Sequence, residues 1–244
     1  MTMAPELEIV FENDSLLVVA KPSGLPSQTT VDPKRPSAEG LVKAMVKAHS
    51  GADTPCFLVH RLDADTSGIL VFAKSKRVAT ALTESLRKRE WTKVYWAITK
   101  RCDQPQTEFK VQNHLRPAKE KRGQRTVSLN TVVRSGGDYA ETNFTVLARG
   151  PSGTALVEAR PQTGRMHQIR VHLAGLGLPI LGDPIYGPQP LPTERLALHA
   201  AKLQLNLDNQ FYTFVMKPPI DFVKLTEAAS IDITAALERL NAQH

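Results

Sequence analysis

Chemically capable side chains are densest in the stretch Val59-His60-Arg61-Leu62-Asp63-Ala64-Asp65-Thr66-Ser67-Gly68. A carboxylate can attack carbon or move a proton, and here Asp63 stands between Arg61 and Asp65. The apolar run Cys56-Phe57-Leu58-Val59 leads in and Ile69-Leu70-Val71-Phe72-Ala73 leads out, each with the pattern of a short buried strand. A plain hairpin needs fewer polar residues and no pairing of Arg with a carboxylate. Loops held by strands often carry function. Composition alone does not choose between such a site and a surface turn stapled by an Arg–Asp pair worth about 1 kcal/mol or less. Asp63 and Asp65 could also hold Mg²⁺ as part of a hydrolase or nuclease, but no further acidic cluster joins them.

A second polar string is Thr163-Gly164-Arg165-Met166-His167-Gln168-Ile169-Arg170-Val171-His172-Leu173. Ile169, Leu173 and Leu176 follow helical spacing, and Gly177 suits a left-handed close. A strand is therefore expected to end at Gly164 and a helix to begin near Met166, with Arg170 on its polar side. His167 and His172 would sit about 140° apart around that helix, a poor geometry for one metal ion. Zinc-ligand spacings and a phosphate-cradling Gly-rich loop are both missing from the sequence, so neither a metal nor a cofactor is expected. Lys21-Pro22-Ser23-Gly24-Leu25-Pro26 reads as a stiff turn. Lys93-Val94-Tyr95-Trp96-Ala97-Ile98 reads as a strand with Tyr95 and Ala97 on one face. A strand tyrosine is ordinarily core or sheet surface.

The order His60-Arg61-Leu62-Asp63-x-x-Thr66-Ser67-Gly68 closely resembles the catalytic motif of the RluA-type pseudouridine synthases. The string Gly164-Arg165-x-His167-Gln168-x-Arg170-x-His172 is similar to that family's second hallmark. Lys21-Pro22-x-Gly24-Leu25 and Leu181-Gly182-Asp183-Pro184-Ile185-Tyr186-Gly187 are shared as well, so the resemblance covers roughly residues 7–222. It implies conversion of uridine to pseudouridine within ribosomal RNA, transfer RNA or both. The uracil leaves C1′, turns, and rejoins through C5, with no external donor. Asp63 is implied as the catalytic residue, Tyr95 as the group lying against the target base, and Arg170 as the partner that keeps Asp63 ionised. Whether Asp63 attacks C1′ or C6, or assists uracil loss, stays open. The base must leave its stack. Arg61 is then expected to fill the vacated space or touch phosphates, with His60, Arg165 and His167 also on the RNA side.

The resemblance further implies a pseudouridine synthase fold of the α+β class. This is a mixed, largely antiparallel sheet flanked by helices and loops around a basic cleft. One catalytic domain is expected over residues 1–244, with its core at about 7–222. Larger members add an N-terminal RNA-binding module, which the few residues before the first strand leave no room for. Hairpin strands are expected at 7–11 and 16–20, helices opened by Ser37 and Ser75, strands at 139–147, 154–159, 196–207 and 211–216, and a terminal helix at 231–240. Ser50-Gly51 is expected to end the first helix.

Net charge of +7 over 244 residues favours a polyanionic partner. Two basic groups are candidate RNA clamps: Arg87, Lys88 and Arg89 at a helix end, and Arg116, Lys119, Lys121, Arg122 and Arg125 in an exposed segment. No apolar run reaches the roughly 18 residues of a membrane span, and the first residues lack the pattern of a secretory signal. Cys56 and Cys102 form no disulfide framework, which fits a reducing cytoplasm. A monomer without an obligate protein partner is expected. The rival reading is a non-catalytic RNA-binding protein of the same fold.

Overall fold

The computed structural model describes residues 7–242 except 31, 33, 51–54, 101, 103–105, 124, 190–192 and 194, with the side chains of 49, 50 and 125 also outside the described set. The chain divides into two compact units, residues 1–92 with 200–216, and residues 93–199 with 217–244. The described elements are mixed α and β, with mostly antiparallel strands, as the sequence implied.

In the first unit, β1 (Glu8–Glu12) and β2 (Leu16–Lys21) form the expected hairpin. Its turn is set by Asn13, whose Oδ1 accepts from the backbone N–H of Ser15 and of Leu16 at 2.9 and 2.8 Å. β4 (Ser67–Ala73) lies antiparallel to β2, and the two-residue β3 (Phe57–Leu58) pairs with β4. Every residue of β2 and β4 is buried. Such unbroken apolar runs, rather than alternation, mark strands covered on both faces. β10 (Leu198–Leu207) neighbours β4, and β11 (Gln210–Val215) folds back on β10. The turn between them places Asp208 and Asn209 at φ 52° and 63°, which these two residue types tolerate best after glycine.

α1 (Ala38–Ser50) starts where Ser37 was expected to open it, and Ser37 Oγ accepts from Gly40 N at 3.1 Å. Ser50 is its last residue; Gly51 lies outside the described residues. α2 (Lys76–Arg87) is capped by Ser75, whose Oγ accepts from Val78 N at 3.3 Å. Val78 and Leu82 pack with Leu16, Val18, Ile69, Val71, Trp91, Leu203, Leu205 and Phe214 to form this unit's core, with Leu86 partly buried at its edge.

The second unit is built on the antiparallel succession β5 (Thr92–Thr99), β9 (Ala155–Pro161), β8 (Asp138–Arg149), β6 (Glu108–Arg122), β7 (Arg125–Val133). β6 and β7 make one long hairpin running from His114↔Val133 to Arg122↔Arg125. α3 (Gln168–Gly175) follows β9. It begins two residues later than expected, with His167 as its N-cap in the left-handed region at φ 54°. The expected polar side is also absent: Gln168, Ile169, Arg170, Val171, His172 and Leu173 are all buried. Pro219 caps a helix the sequence reading missed, α4 (Ile220–Ala228), and the terminal helix is α5 (Thr234–Asn241) rather than 231–240. Among the described residues no helix is long and apolar enough to cross a membrane.

Gly68 opens β4 at φ +128°, and a Cβ there would stand 2.4 Å from the backbone O of Ala200 and 2.6 Å from its N. Neither contact can relax by turning a side chain. Gly68→Ala is expected to cost roughly 3 kcal/mol or more, read as a drop in urea midpoint at constant slope. A change within about 0.5 kcal/mol would show that the two strands can separate at that point.

Candidate active site

The loop that carries Asp63 is held from below by the segment just after β2. Lys21 is fully buried, and its Nζ donates to the carbonyls of Pro22 at 2.9 Å, Leu25 at 2.7 Å and Ala64 at 2.8 Å. An ammonium has three N–H donors, and these three carbonyls match them. Ser23 Oγ donates to Asp65 O at 2.6 Å. Ser27 Oγ donates to Leu62 O at 2.7 Å and accepts from Leu62 N at 3.0 Å. Within the loop, Thr66 N donates to Asp63 O at 3.1 Å, and Leu62, Thr66 and Ser67 point inward, each less than a tenth exposed. The Lys-Pro-Ser-Gly-Leu turn is thus a bracket for residues 62–65, and Asp63 is left partly exposed on top of it.

His60 and Arg61 diverge. His60 is half-buried; its Nε2 accepts from Val71 N at 3.1 Å, which fixes that nitrogen as unprotonated, and its ring meets Trp91 edge-on at 5.4 Å. Arg61 is exposed. The expected clamp Arg87, Lys88 and Arg89 is exposed at the end of α2, with Lys88 as C-cap and Arg89 left-handed at φ 64°.

In the second unit, Tyr95 lies in β5, the expected strand, and is partly exposed between buried Val94 and Trp96, while Ala97 on its own face is buried. Arg170, 2% exposed, donates from Nε to Asp183 Oδ2 and from Nη2 to Asp183 Oδ1, both at 2.8 Å. This is a two-pronged ion pair of the kind that fixes a guanidinium plane. Burial pushes the fully buried Asp183 carboxyl up. The Arg170 contacts and the N–H groups of Tyr186 and Ile185 outweigh that and hold it below the usual carboxylate range. The guanidinium also lies 5.4 Å over the Tyr186 ring. Tyr186 OH accepts from Asn130 N at 2.8 Å and sits 3.2 Å from His167 Nδ1; Asn130 Nδ2 donates to Met166 O at 2.6 Å. Arg165 is committed to Tyr139 O at 3.1 Å and to Asp138 at 3.4 Å.

Behind α3, His172 lies 3.0 Å from Thr142 Oγ1 and 3.1 Å from Asn113 Oδ1, so the two histidines of the motif turn to different partners. Among the described residues no group of His, Cys, Asp or Glu could hold a metal ion.

The basic hairpin is not one patch. Alternation along β6 puts Lys119 and Lys121 on one face and Arg116 and Arg122 on the other. Arg122 is partly buried and donates to the carbonyls of Pro184 and Ile185, both at 2.8 Å. Arg116, Lys119 and Lys121 are exposed, and the Arg125 side chain lies outside the described residues.

Residues 15–175 match the family described as RNA pseudouridylate synthase. The dual-specificity RNA pseudouridine synthase RluA of Haemophilus influenzae is 38% identical over 205 residues, covering 83% of this chain and 88% of that protein. The chain belongs to the RNA pseudouridylate synthase family. Members are isomerases that act on RNA, and the reading as a mere binder of the same fold is not favoured. The RNA pseudouridine synthase YhcT of Bacillus subtilis is 35% identical over 204 residues; the match covers 82% of this chain and 64% of YhcT's length. Among solved structures, human RNA pseudouridylate synthase domain containing 4 superposes with a TM-score of 0.75 at 30% identity, over 92% of this chain and 94% of that one.

Lys21, Ser27, Asp183, Tyr186 and Asn130 had no role in the sequence reading. The only available signal was a charged or polar residue inside a family-shared turn, at Lys21, Asp183 and Tyr186.

The synthase's His172 supplies a pH test. Burial holds its imidazole at about 4, against 6.5 in the unfolded chain. As pH falls below about 6.5 the unfolded state takes up the proton first, so stability declines from there down to about 4. The loss is roughly 3 kcal/mol at its fullest. Urea melts from pH 7.5 to 4.5 should show that decline, and His172→Gln should flatten it. An equal pH slope in both proteins would mean that the imidazole is protonated in place.

Proposed function

We propose that this synthase isomerises uridine to pseudouridine in ribosomal or transfer RNA, with Asp63 as the carboxylate nucleophile. The N1–C1′ bond breaks, uracil turns, and a C5–C1′ bond forms. The proton lost from C5 balances the one gained at N1. The observation that carries this reading is the bracketed loop: a partly exposed carboxylate on a backbone held by the Lys21 ammonium and the Ser23 and Ser27 hydroxyls. Fixed geometry of this kind lowers the entropic part of a barrier. Tyr95 would receive the extruded base, and Arg170, its plane set by Asp183, would be the cationic member of the catalytic set. Both units would then work as one catalytic domain.

Exposed Arg61, Arg87, Lys88, Arg89, Arg116, Lys119 and Lys121 would grip the RNA backbone. Their contribution would be screened by salt. Cys56 and Cys102 are buried and free, and burial pushes the Cys56 thiol up to about 11, which fits an unreactive thiol in a reducing compartment. A monomer is the simplest working form.

RNA purified from cells lacking the protein carries the target uridine unmodified. Incubated with it, the wild-type protein should form pseudouridine in EDTA as well as in Mg²⁺. Asp63→Asn should form none while keeping its RNA affinity. Full activity in Asp63→Asn would end the nucleophile assignment. Activity that vanishes in EDTA and returns with Mg²⁺ would point instead to metal-dependent chemistry at Asp63 and Asp65.

A further inference from the structure

Most of the inward-turned cations in this protein have an evident acceptor. Lys21 has three carbonyls, Arg122 two carbonyls, Arg170 the Asp183 carboxylate, and Arg160 the Glu158 carboxylate at 2.8 Å. Lys93, the second residue of β5, differs. Its side chain is partly buried, yet among the described residues its ammonium makes no hydrogen bond and no ion pair. The Nζ lies 3.8 Å from where a Cβ on Gly164 would stand, at the head of the loop that leads to α3. Arg165, next in that loop, is itself a cation bound to Tyr139 O and Asp138, and its guanidinium has no acceptor to offer Lys93.

A partly dehydrated charge without a partner is unfavourable. Burial accordingly pulls the Lys93 ammonium below the ordinary lysine range, with no carboxylate opposing that shift. An anion docked against it would supply the missing acceptor and gain more than at a fully solvated lysine, because less water competes. The ammonium is a compact point charge, suited to one phosphate oxygen rather than to a planar group. Gly164 carries no side chain to cover the approach. Lys93 and Tyr95 project from the same face of β5, two residues and so roughly 7 Å apart along the strand.

We propose that Lys93 is the docking point for a single RNA backbone phosphate beside the target uridine. The proposal rests on the RNA reading above and goes beyond it. It separates one partly buried contact from the exposed clamp residues. The exposed clamps hold RNA wherever its backbone passes. Lys93 instead fixes which nucleotide stands at Tyr95.

The test uses the full chain and an in-vitro-transcribed RNA stem-loop with uridines in its loop. Binding is titrated against salt for the unaltered protein, Lys93→Met and Lys93→Arg. In Lys93→Met the slope of log affinity against log salt should shrink by about 0.7 to 0.9, the value of one phosphate contact. Affinity at low salt should fall roughly tenfold. Lys93→Arg should recover both. A Lys93→Met slope and affinity equal to the parent's would overturn the phosphate assignment and leave the RNA reading intact. Failure of the unaltered protein to bind the RNA at all would overturn both. A second measurement needs no variant. Acetylation of Lys93 in the unaltered protein, read by mass spectrometry, should be suppressed by the stem-loop, and equal acetylation with and without RNA would overturn the assignment.

Discussion

The loop that carries Asp63 hangs on an ammonium group that water does not reach. Lys21 has no exposed surface and lays its charge across the carbonyls of Pro22, Leu25 and Ala64. Removing an ammonium from water costs several kcal/mol. Three charged hydrogen bonds at roughly 1.5–3 kcal/mol each are of the size needed to offset it. The arrangement ties the turn after β2 to the loop before β4. Those two stretches are already close because β2 and β4 pair from Leu16↔Ala73 to Lys21↔Gly68. The strands set the distance, and the ammonium and the Ser23 and Ser27 hydroxyls set the loop's shape.

The second unit solves a similar problem with a different device. Arg170 and Asp183 are both sealed from solvent, at 2% and 0% exposure of their side chains. Such a pair is poor evidence for stability, since apolar residues of the same shape often do as well. What it supplies is direction. Two parallel hydrogen bonds, the Tyr186 ring and the N–H groups of Ile185 and Tyr186 leave the Arg170–Asp183 plane little freedom to turn. Gln168, the first residue of α3, accepts from Thr163 Oγ1 and donates to Thr142 Oγ1, so the start of the helix is pinned as well.

Much of the frame was readable in the residues. Ser37 and Ser75 announced two helices because a hydroxyl before an apolar stripe satisfies N–H groups the helix cannot. Asp63 and Arg170 were singled out by family words rather than by any local pattern. What escaped was buried polarity. Arg170 looked like the wet side of α3, because periodicity assumes that charges seek water, and nothing local to residues 165–176 announces Asp183. Lys21 looked like part of a turn for the same reason. The hairpin cations looked like one cluster in sequence, but strand alternation sends Lys119 and Lys121 away from Arg116 and Arg122, and Arg122 is spent on Pro184 and Ile185. α4 was missed because Pro218-Pro219 reads as a stop, while Pro219 serves here as an N-cap.

The central claim is that the loop under Asp63 is rigid before RNA arrives. Native-state amide hydrogen exchange of the RNA-free protein tests it most directly, at the N–H groups of Leu62 and Thr66, which donate to Ser27 Oγ and Asp63 O. The account predicts that both are protected nearly as well as the amides of β4, and that Lys21→Met releases them while β4 stays protected. Exchange of both amides at the rate of an open loop in the unaltered protein would contradict it.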